Sequence, residues 1–509
     1  MAGYYVREGE DTDLFVINLA GGGACTDEAK CSARNLTRKG SSAFDLDSKR
    51  GTGLIDTSCD VNPGFCEATH VHVLYCTSDT HRGIREPSDD STWYSDYYFD
   101  GHSNFKAIVE ILKQEKGLNN NADTKVLLTG ISAGGIGALY NVDTLQEMIP
   151  KATVKTAPIA GWFNPGALPD DLPSIFPPSD YTNFKNGEHG NELYDLVQEG
   201  EGQEDVWEMR DTLPADCLAD YVDDTDDKSW ACYSIHIAYP YIKAPIFAIS
   251  SQYDSYHIYT GGGAPKNIND PEEEIIFNKY VDMYGKATRL SFQQLLDGDT
   301  KTTKEHPDGI FAPSCKLHGT PNDMTITDDK NWIEIVSDWF FQTGDLEDYY
   351  QQIEECSTDQ AGLVLPCNAN GEECSFEFED QDPLVEICRQ KVEDAGCLET
   401  KNKKKCIKCV QQNAEEITSG ECSPKNEKQA KKLVEEICSL VLDDPEVPDA
   451  DDPEAKFVRK KNKKGKKKKS TCGKLLKFKD KNIKKYCRDE TYGKQGAAVV
   501  CPITCNGYN

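Results

Sequence analysis

Ser132 stands in Gly130-Ile131-Ser132-Ala133-Gly134, a Gly-x-Ser-x-Gly pattern. A serine hydroxyl becomes a nucleophile when a strained strand-to-helix turn exposes it and a histidine takes its proton. The pattern alone is a weak signal, since about 0.2 chance matches are expected in a chain this long at ordinary Gly and Ser usage. Its flanks add weight. Val126, Leu127 and Leu128 read as a buried strand, and Ile136, Leu139 and Tyr140 fit a following helix. Gly135 and Gly137 permit that helix to pack closely on a strand. A plain glycine-rich turn is the competing reading of the same residues.

A nucleophilic serine needs three further parts. The first is a set of amides for the developing oxyanion. The stretch LAGGGAC follows an apolar run and places Gly22, Gly23 and Ala24 where their amides, with that of Ala133, can serve. The second is an acid after a later strand, and Asp254 lies just beyond the run Ile246 to Ser250. The third is a histidine later still, and His318 sits in the loop FAPSCKLHGTPND. The order Ser132, Asp254, His318 is that of α/β-hydrolases. Ser132 attacks an acyl carbon, His318 takes and returns its proton, and Asp254 orients His318 and stabilises its charged form. His257 follows Asp254 by three residues, too close to be the base, and His306 reads as a surface turn. Asp323 is a rival acid in the wrong order, five residues past His318.

The elements around these residues support the placement. Five short apolar runs have strand length: LFVINLAGGG, HVHVLYCTSD, KVLLTGISAG, VKTAPIAGWF and APIFAISSQYD. Between the second and third, Phe105, Ile108, Val109 and Leu112 share a helix face that stops at Gly117. Trp332, Ile335, Val336 and Trp339 share another. Strands alternating with helices predict an α/β class, with a mostly parallel sheet flanked by helices over residues 1–350.

From about Cys356 the texture changes. Thirteen of the 21 cysteines lie in the last third. Residues 351–442 read as a Cys-rich helical module, 443–470 as an acidic and then basic disordered linker, and 471–509 as a small Cys-rich terminal module. So many cysteines favour an oxidising, secreted setting. A signal peptide lost upstream of the polar start MAGYYVREGEDTD is part of that expectation. Asn35-Leu36-Thr37 is a glycosylation sequon. The eight cysteines of the first part are enough for four pairs, although the sequence does not give the pairing, and spacing places Cys25 and Cys31 close to the glycine-rich loop, where they help to fix it. One Cys-x-x-Cys, at Cys406 and Cys409, lacks a second pair at zinc spacing, so no metal is expected. A net charge of −31 argues against nucleic acid, and no apolar run is long enough to span a membrane. The basic run Lys456 to Lys469 is either a solvated linker or a tether to an anionic matrix. A monomer is expected.

Several segments occur in a telling order: AGYYVREG, LAGGGACTDEAKCSAR, VLYCTSDTHRG, FDGHSNFKAIVEIL, TGISAGGIGALYN, VKTAPIAGWF, SSQYDSYHI and SCKLHG. Over roughly residues 3 to 345 the chain resembles the pectin acetylesterase and Notum family of secreted carboxylesterases. The resemblance aligns Ser132, Asp254 and His318 with the family's triad, and Gly22, Gly23, Ala24 and Ala133 with its oxyanion hole. It departs at Ala24, where the family usually has Trp, and at Gly319, where pectin acetylesterases usually have Cys. The second departure, with YCTSD, is closer to the Notum branch. CPITCNGYN is similar to small ShK-type disulfide modules but lacks their last cysteine.

The expectation is a secreted serine carboxylesterase that deacetylates an extracellular polysaccharide such as pectin and needs no cofactor. The alternatives are a deacylase acting on a lipidated protein and an inactive matrix-binding protein. The aromatic stretch Ser91 to Gly101 either stacks sugar rings or packs in the core.

Overall fold

The computed structural model describes residues 3–163, 205–261, 271–297, 307–367 and a few beyond, short gaps inside these ranges excepted. The chain divides into two compact units, Met1–Phe378 and Glu379–Asn509.

The first unit is built on one eight-stranded sheet. Its strands are β1 (Tyr4–Arg7), β2 (Asp11–Leu19), β3 (Ala68–Val73), β4 (Lys125–Ile131), β5 (Thr153–Ile159), β6 (Phe247–Ile249), β7 (Gly309–Ala312) and β8 (Gln351–Ile353). They lie in the order β1-β3-β2-β4-β5-β6-β7-β8. All neighbours are parallel except β1, which pairs antiparallel with β3 at the edge. The five expected runs all became strands. The sheet continues past the boundary expected at 350, because β8 adds to β7 there.

The helices follow from their apolar stripes. Helix α1 (Glu28–Arg34) is short and starts on Asp27, whose carboxylate accepts from the Lys30 amide. Helix α2 (Gly101–Glu115) buries Phe105, Ile108, Val109 and Leu112. Helix α3 (Ala133–Met148) is buried along most of its length. Helix α4 (Ala215–Tyr221) is a single short segment, and α5 (Pro271–Asp297) is the longest among the described residues. Helix α6 (Trp332–Phe341) opens with a capping box between Asn331 and Glu334 and buries both of its tryptophans.

Side chains alternate across the sheet with the period of two that a pleated strand imposes. Phe15, Ile17, Leu19, Val126 and Leu128 join α2 and α3 in one core. Leu14, Val16 and Leu127 point the other way and join Trp332, Val336 and Trp339 of α6. Lys155 of β5 crosses to that side. Its ammonium donates to the carbonyls of Trp339 and Phe340 at 3.2 and 2.9 Å, closing the last turn of α6.

Disulfides join Cys25–Cys31, Cys59–Cys66, Cys217–Cys232 and Cys356–Cys367. Four pairs within the first eight cysteines do not form. Cys76 keeps its thiol, and Cys315 is disulfide-bonded although all six other early cysteines are already paired. In the second unit Lys456–Lys461 and Lys467–Thr471 pair as an antiparallel hairpin, in the basic run that the sequence reading takes as disordered. The register lets each strand satisfy the other's backbone, which a free linker would leave to water. The expected Cys-rich helical module and terminal module lie outside the described residues. Among the described residues, no helix is long and apolar enough to cross a membrane.

Candidate active site

The site lies where strand order reverses. The chain runs from β2 to β3 on one side of it, then returns to β4 on the other. Loops leaving the carboxyl ends of strands at such a point diverge and open a crevice. The loop after β2 carries Gly22, Gly23 and Ala24. The turn after β4 carries Ser132.

Register places the other residues on the same edge. Leu19 is level with Gly130, and Ile131 with Ile159, which is level with Ile249 and through it with Phe311. Ser132 follows that rank by one residue, Asp254 by five and His318 by seven.

Ser132 occupies φ 58°, ψ −123°, a region that a residue with a Cβ adopts only under constraint. The constraint is visible. Its amide donates to the Ile159 carbonyl at 2.9 Å, and its carbonyl accepts from the Ile136 amide as α3 begins. The surrounding glycines are required by space, since a Cβ on Gly134 would collide with the Leu19 carbonyl and one on Gly135 with the Ile159 carbonyl. Gly137 faces the His81 side chain in the same way.

His318, half-buried, and Asp254, buried, form a pair. His318 Nδ1 lies 3.0 and 2.9 Å from Asp254 Oδ1 and Oδ2. The charged carboxylate fixes the proton on Nδ1 and makes Nε2 the basic nitrogen. Asp254 is 2% exposed. Burial pushes its carboxyl up, but the His318 imidazole and the His257 amide outweigh this and hold it below the ordinary carboxylate range. Gly319, directly after His318, has φ 104°, a backbone state open to glycine and costly for the cysteine of the family pattern.

The glycine-rich loop is held from behind. The Gly22 carbonyl accepts from Arg34 Nη1 at 2.9 Å, and the Gly23 carbonyl accepts from the Tyr75 hydroxyl at 2.7 Å. In a trans peptide the N–H points opposite to its carbonyl. The amides of Gly23 and Ala24 therefore face away from Arg34 and Tyr75. The next amide, Cys25 N, is already used by the Ser78 carbonyl. The Cys25–Cys31 disulfide ties this loop to α1, as expected.

Neighbouring contacts draw the loops together. A Cβ on Gly21 would lie 3.3 Å from that of Ser132, and one on Gly23 would lie 3.8 Å from the Tyr256 hydroxyl. The Tyr256 ring in turn lies 5.1 Å from that of His318. Phe163, just after β5, stacks on Tyr256 at 6.3 Å.

The rivals separate. Asp323 is exposed on a turn. His306 lies outside the described residues. His257 is at the site but in a different role: its amide donates to Asp254 Oδ1 at 3.2 Å, and its ring packs edge-on against Phe163 at 4.0 Å. Burial drives its imidazole down to about 4, so it stays neutral. The aromatic stretch mostly packs. Trp93, Tyr94 and Tyr97 are partly buried against Cys25, Cys31 and Phe99, behind the glycine-rich loop, while Tyr98 is 65% exposed. Sequence reasoning missed Tyr256, Phe163, Arg34 and Tyr75. Tyr256 carried the one usable signal, its position two residues past the proposed acid.

The sequence model of a family described as Pectinacetylesterase matches residues 1–370. The chain is 27% identical over 320 residues to palmitoleoyl-protein carboxylesterase notum1a of Danio rerio, covering 62% of this chain and 56% of that protein. It is 24% identical over 345 residues to palmitoleoyl-protein carboxylesterase NOTUM of Drosophila melanogaster, covering 66% of this chain and 44% of that one. It is 25% identical over 315 residues to pectin acetylesterase 7 of Arabidopsis thaliana, covering 62% and 69%. The chain thus spans about half the length of the first two relatives. Among solved structures it is similar to the Wnt deacylase Notum from Drosophila, with TM-score 0.54, 21% identity, and 72% of this chain and 91% of that one covered. That likeness establishes a shared fold.

Proposed function

Because this chain belongs to the pectinacetylesterase family, we propose that it is a serine carboxylesterase removing acetyl groups from an O-acetylated extracellular polysaccharide such as pectin. The observation that carries the reading is the His318–Asp254 pair on the sheet edge from which Ser132 emerges.

The chemistry follows from the residues. Ser132 Oγ attacks the acetyl carbon while His318 Nε2 takes its proton. Asp254 stabilises the imidazolium. Negative charge on the former carbonyl oxygen is met by the amides of Gly22, Gly23 or Ala24 and of Ala133. His318 then returns the proton to the departing sugar oxygen, leaving an acetyl-enzyme. Water, deprotonated by His318, attacks that ester, and release of acetate restores Ser132. No step calls for a metal or an organic cofactor.

A second reading comes from the relatives named as palmitoleoyl-protein carboxylesterases, in which the acyl group is long and the alcohol belongs to a protein. Hydrolysis of p-nitrophenyl acetate against the octanoate separates the two. Preference for octanoate would favour the protein deacylase. The inactive matrix-binding protein is tested by an organophosphonate, which labels Ser132 in an enzyme and leaves a dead scaffold unmodified.

The disulfides support a secreted or cell-wall location, since such bonds persist in oxidising compartments. The basic run Lys456 to Lys469 is proposed to hold the protein on an anionic matrix. Deleting it should abolish salt-sensitive retention on polygalacturonate, and unchanged retention would exclude the idea.

A further inference from the structure

We propose that Tyr256, backed by Phe163, is the specificity-determining wall that limits the acyl group to a short chain such as acetyl. This deepens the esterase reading and rests on it.

The argument starts from where the side chain reaches. Tyr256 lies in the helical turn that follows β6, half-buried, two residues past Asp254. Its ring centroid is 5.1 Å from that of His318 and tilted by 32°. Its hydroxyl lies at the other end of the span, 3.8 Å from where a Cβ on Gly23 would sit. Arg34 Nη2 is 3.0 Å from the same point. One side chain therefore bridges the proposed base and the proposed oxyanion loop.

In the tetrahedral intermediate the reacting carbon carries four groups: Ser132 Oγ, the oxyanion, the leaving oxygen and the acyl chain. The oxyanion must meet the glycine-rich loop and the leaving oxygen must meet His318. A ring filling the gap between those two anchors takes space that any longer chain on that carbon would need. A methyl is the smallest alkyl group that can stand there.

The wall is also backed. Phe163 stacks on Tyr256 at 6.3 Å with 14° between planes. Phe163 is itself wedged against His257 at 4.0 Å and against the sheet core. Tyr256 cannot swing toward that side without displacing a packed ring. The small residue Ala24 leaves the opposite, glycine-loop side without an aromatic of its own.

The test is kcat/KM on p-nitrophenyl acetate, butyrate and octanoate, with Ser132→Ala as the blank. Tyr256→Ala should raise the octanoate-to-acetate ratio by about tenfold or more, since each methylene accommodated in an apolar pocket changes discrimination by roughly tenfold or above. Tyr256→Phe should keep the wild-type ratio, because the ring and not the hydroxyl forms the wall. Tyr256→Val serves if the alanine variant does not fold, with the same expectation. If the wild type hydrolyses acetate and the ratio is unchanged in the Ala or Val variant, the wall is wrong and the esterase reading stands. A wild type that already prefers octanoate overturns the wall as well. A wild type with no activity above the Ser132→Ala blank on any ester overturns both.

Discussion

His318 Nδ1 sits between the two carboxylate oxygens of Asp254, at 3.0 and 2.9 Å, although 64 positions separate the residues in the chain. They meet because β6 and β7 are parallel neighbours that release their loops on the same edge. Replacing Asp254 with Asn leaves the shape but removes the charge that fixes the imidazole tautomer. We expect kcat to fall by about 10³–10⁴ with the far-UV spectrum unchanged, since the corresponding change in a serine protease triad costs about 10⁴. Activity within tenfold of wild type would show that the pair is structural only.

Ser132 pays for its exposure in backbone strain. At φ 58°, ψ −123° a side chain costs about 1–3 kcal/mol, which glycine escapes. Both Ser132→Ala and Ser132→Gly should lose turnover. Only Ser132→Gly should gain stability, by about 1 kcal/mol or more relative to Ser132→Ala in urea titrations. Equal midpoints would mean that the turn is relaxed.

His257 makes the domain acid-sensitive. Burial lowers its imidazole from 6.5 to about 4. The folded state therefore binds fewer protons than the unfolded state between these values. Stability is full above about pH 6.5 and declines as pH falls toward 4, by about 3 kcal/mol if this group acts alone. His257→Gln, which carries no titrating charge, should flatten the profile between pH 6.5 and 4.5. A denaturation midpoint whose pH dependence is the same in both proteins would rule this out.

The Cys25–Cys31 bond closes a loop of six positions next to Ala24. Replacing both cysteines with alanine should cost about 2 kcal/mol of stability by the chain-entropy relation. It should also loosen the glycine-loop amides, lowering kcat by about tenfold or more, because misplacement of catalytic groups by about 1 Å can cost a hundredfold. KM for acetate esters should change less than kcat. A reversed pattern would place the loop in substrate binding instead of oxyanion stabilisation.

Lys155 tests the fold apart from the chemistry. Its buried ammonium serves two carbonyls at the end of α6. Lys155→Met keeps the volume and removes both bonds, so stability should drop by about 1–3 kcal/mol while kcat stays within twofold. An unchanged midpoint would show that the α6 carbonyls find other donors.

The sequence by itself pointed to the strands at 11–19, 68–73, 125–131, 153–159 and 247–249, because runs such as Leu14 to Ile17 are apolar on both faces and have strand length. It also pointed to the strand-to-helix turn at Ser132, while a plain glycine-rich turn stayed open until the structure showed that small residues are mandatory where α3 crosses Leu19 and Ile159. It left out β1, β7 and β8, whose four, four and three residues lie outside the five apolar runs. Only the tertiary structure decided that His257 serves Asp254 through its backbone while His318 serves it through its ring, because that choice depends on which loop a parallel register brings alongside. The same holds for Tyr256: nothing in the string SSQYDSYHI says that its ring reaches from one strand's loop to another's, since that reach is a property of folded distance and not of chain order.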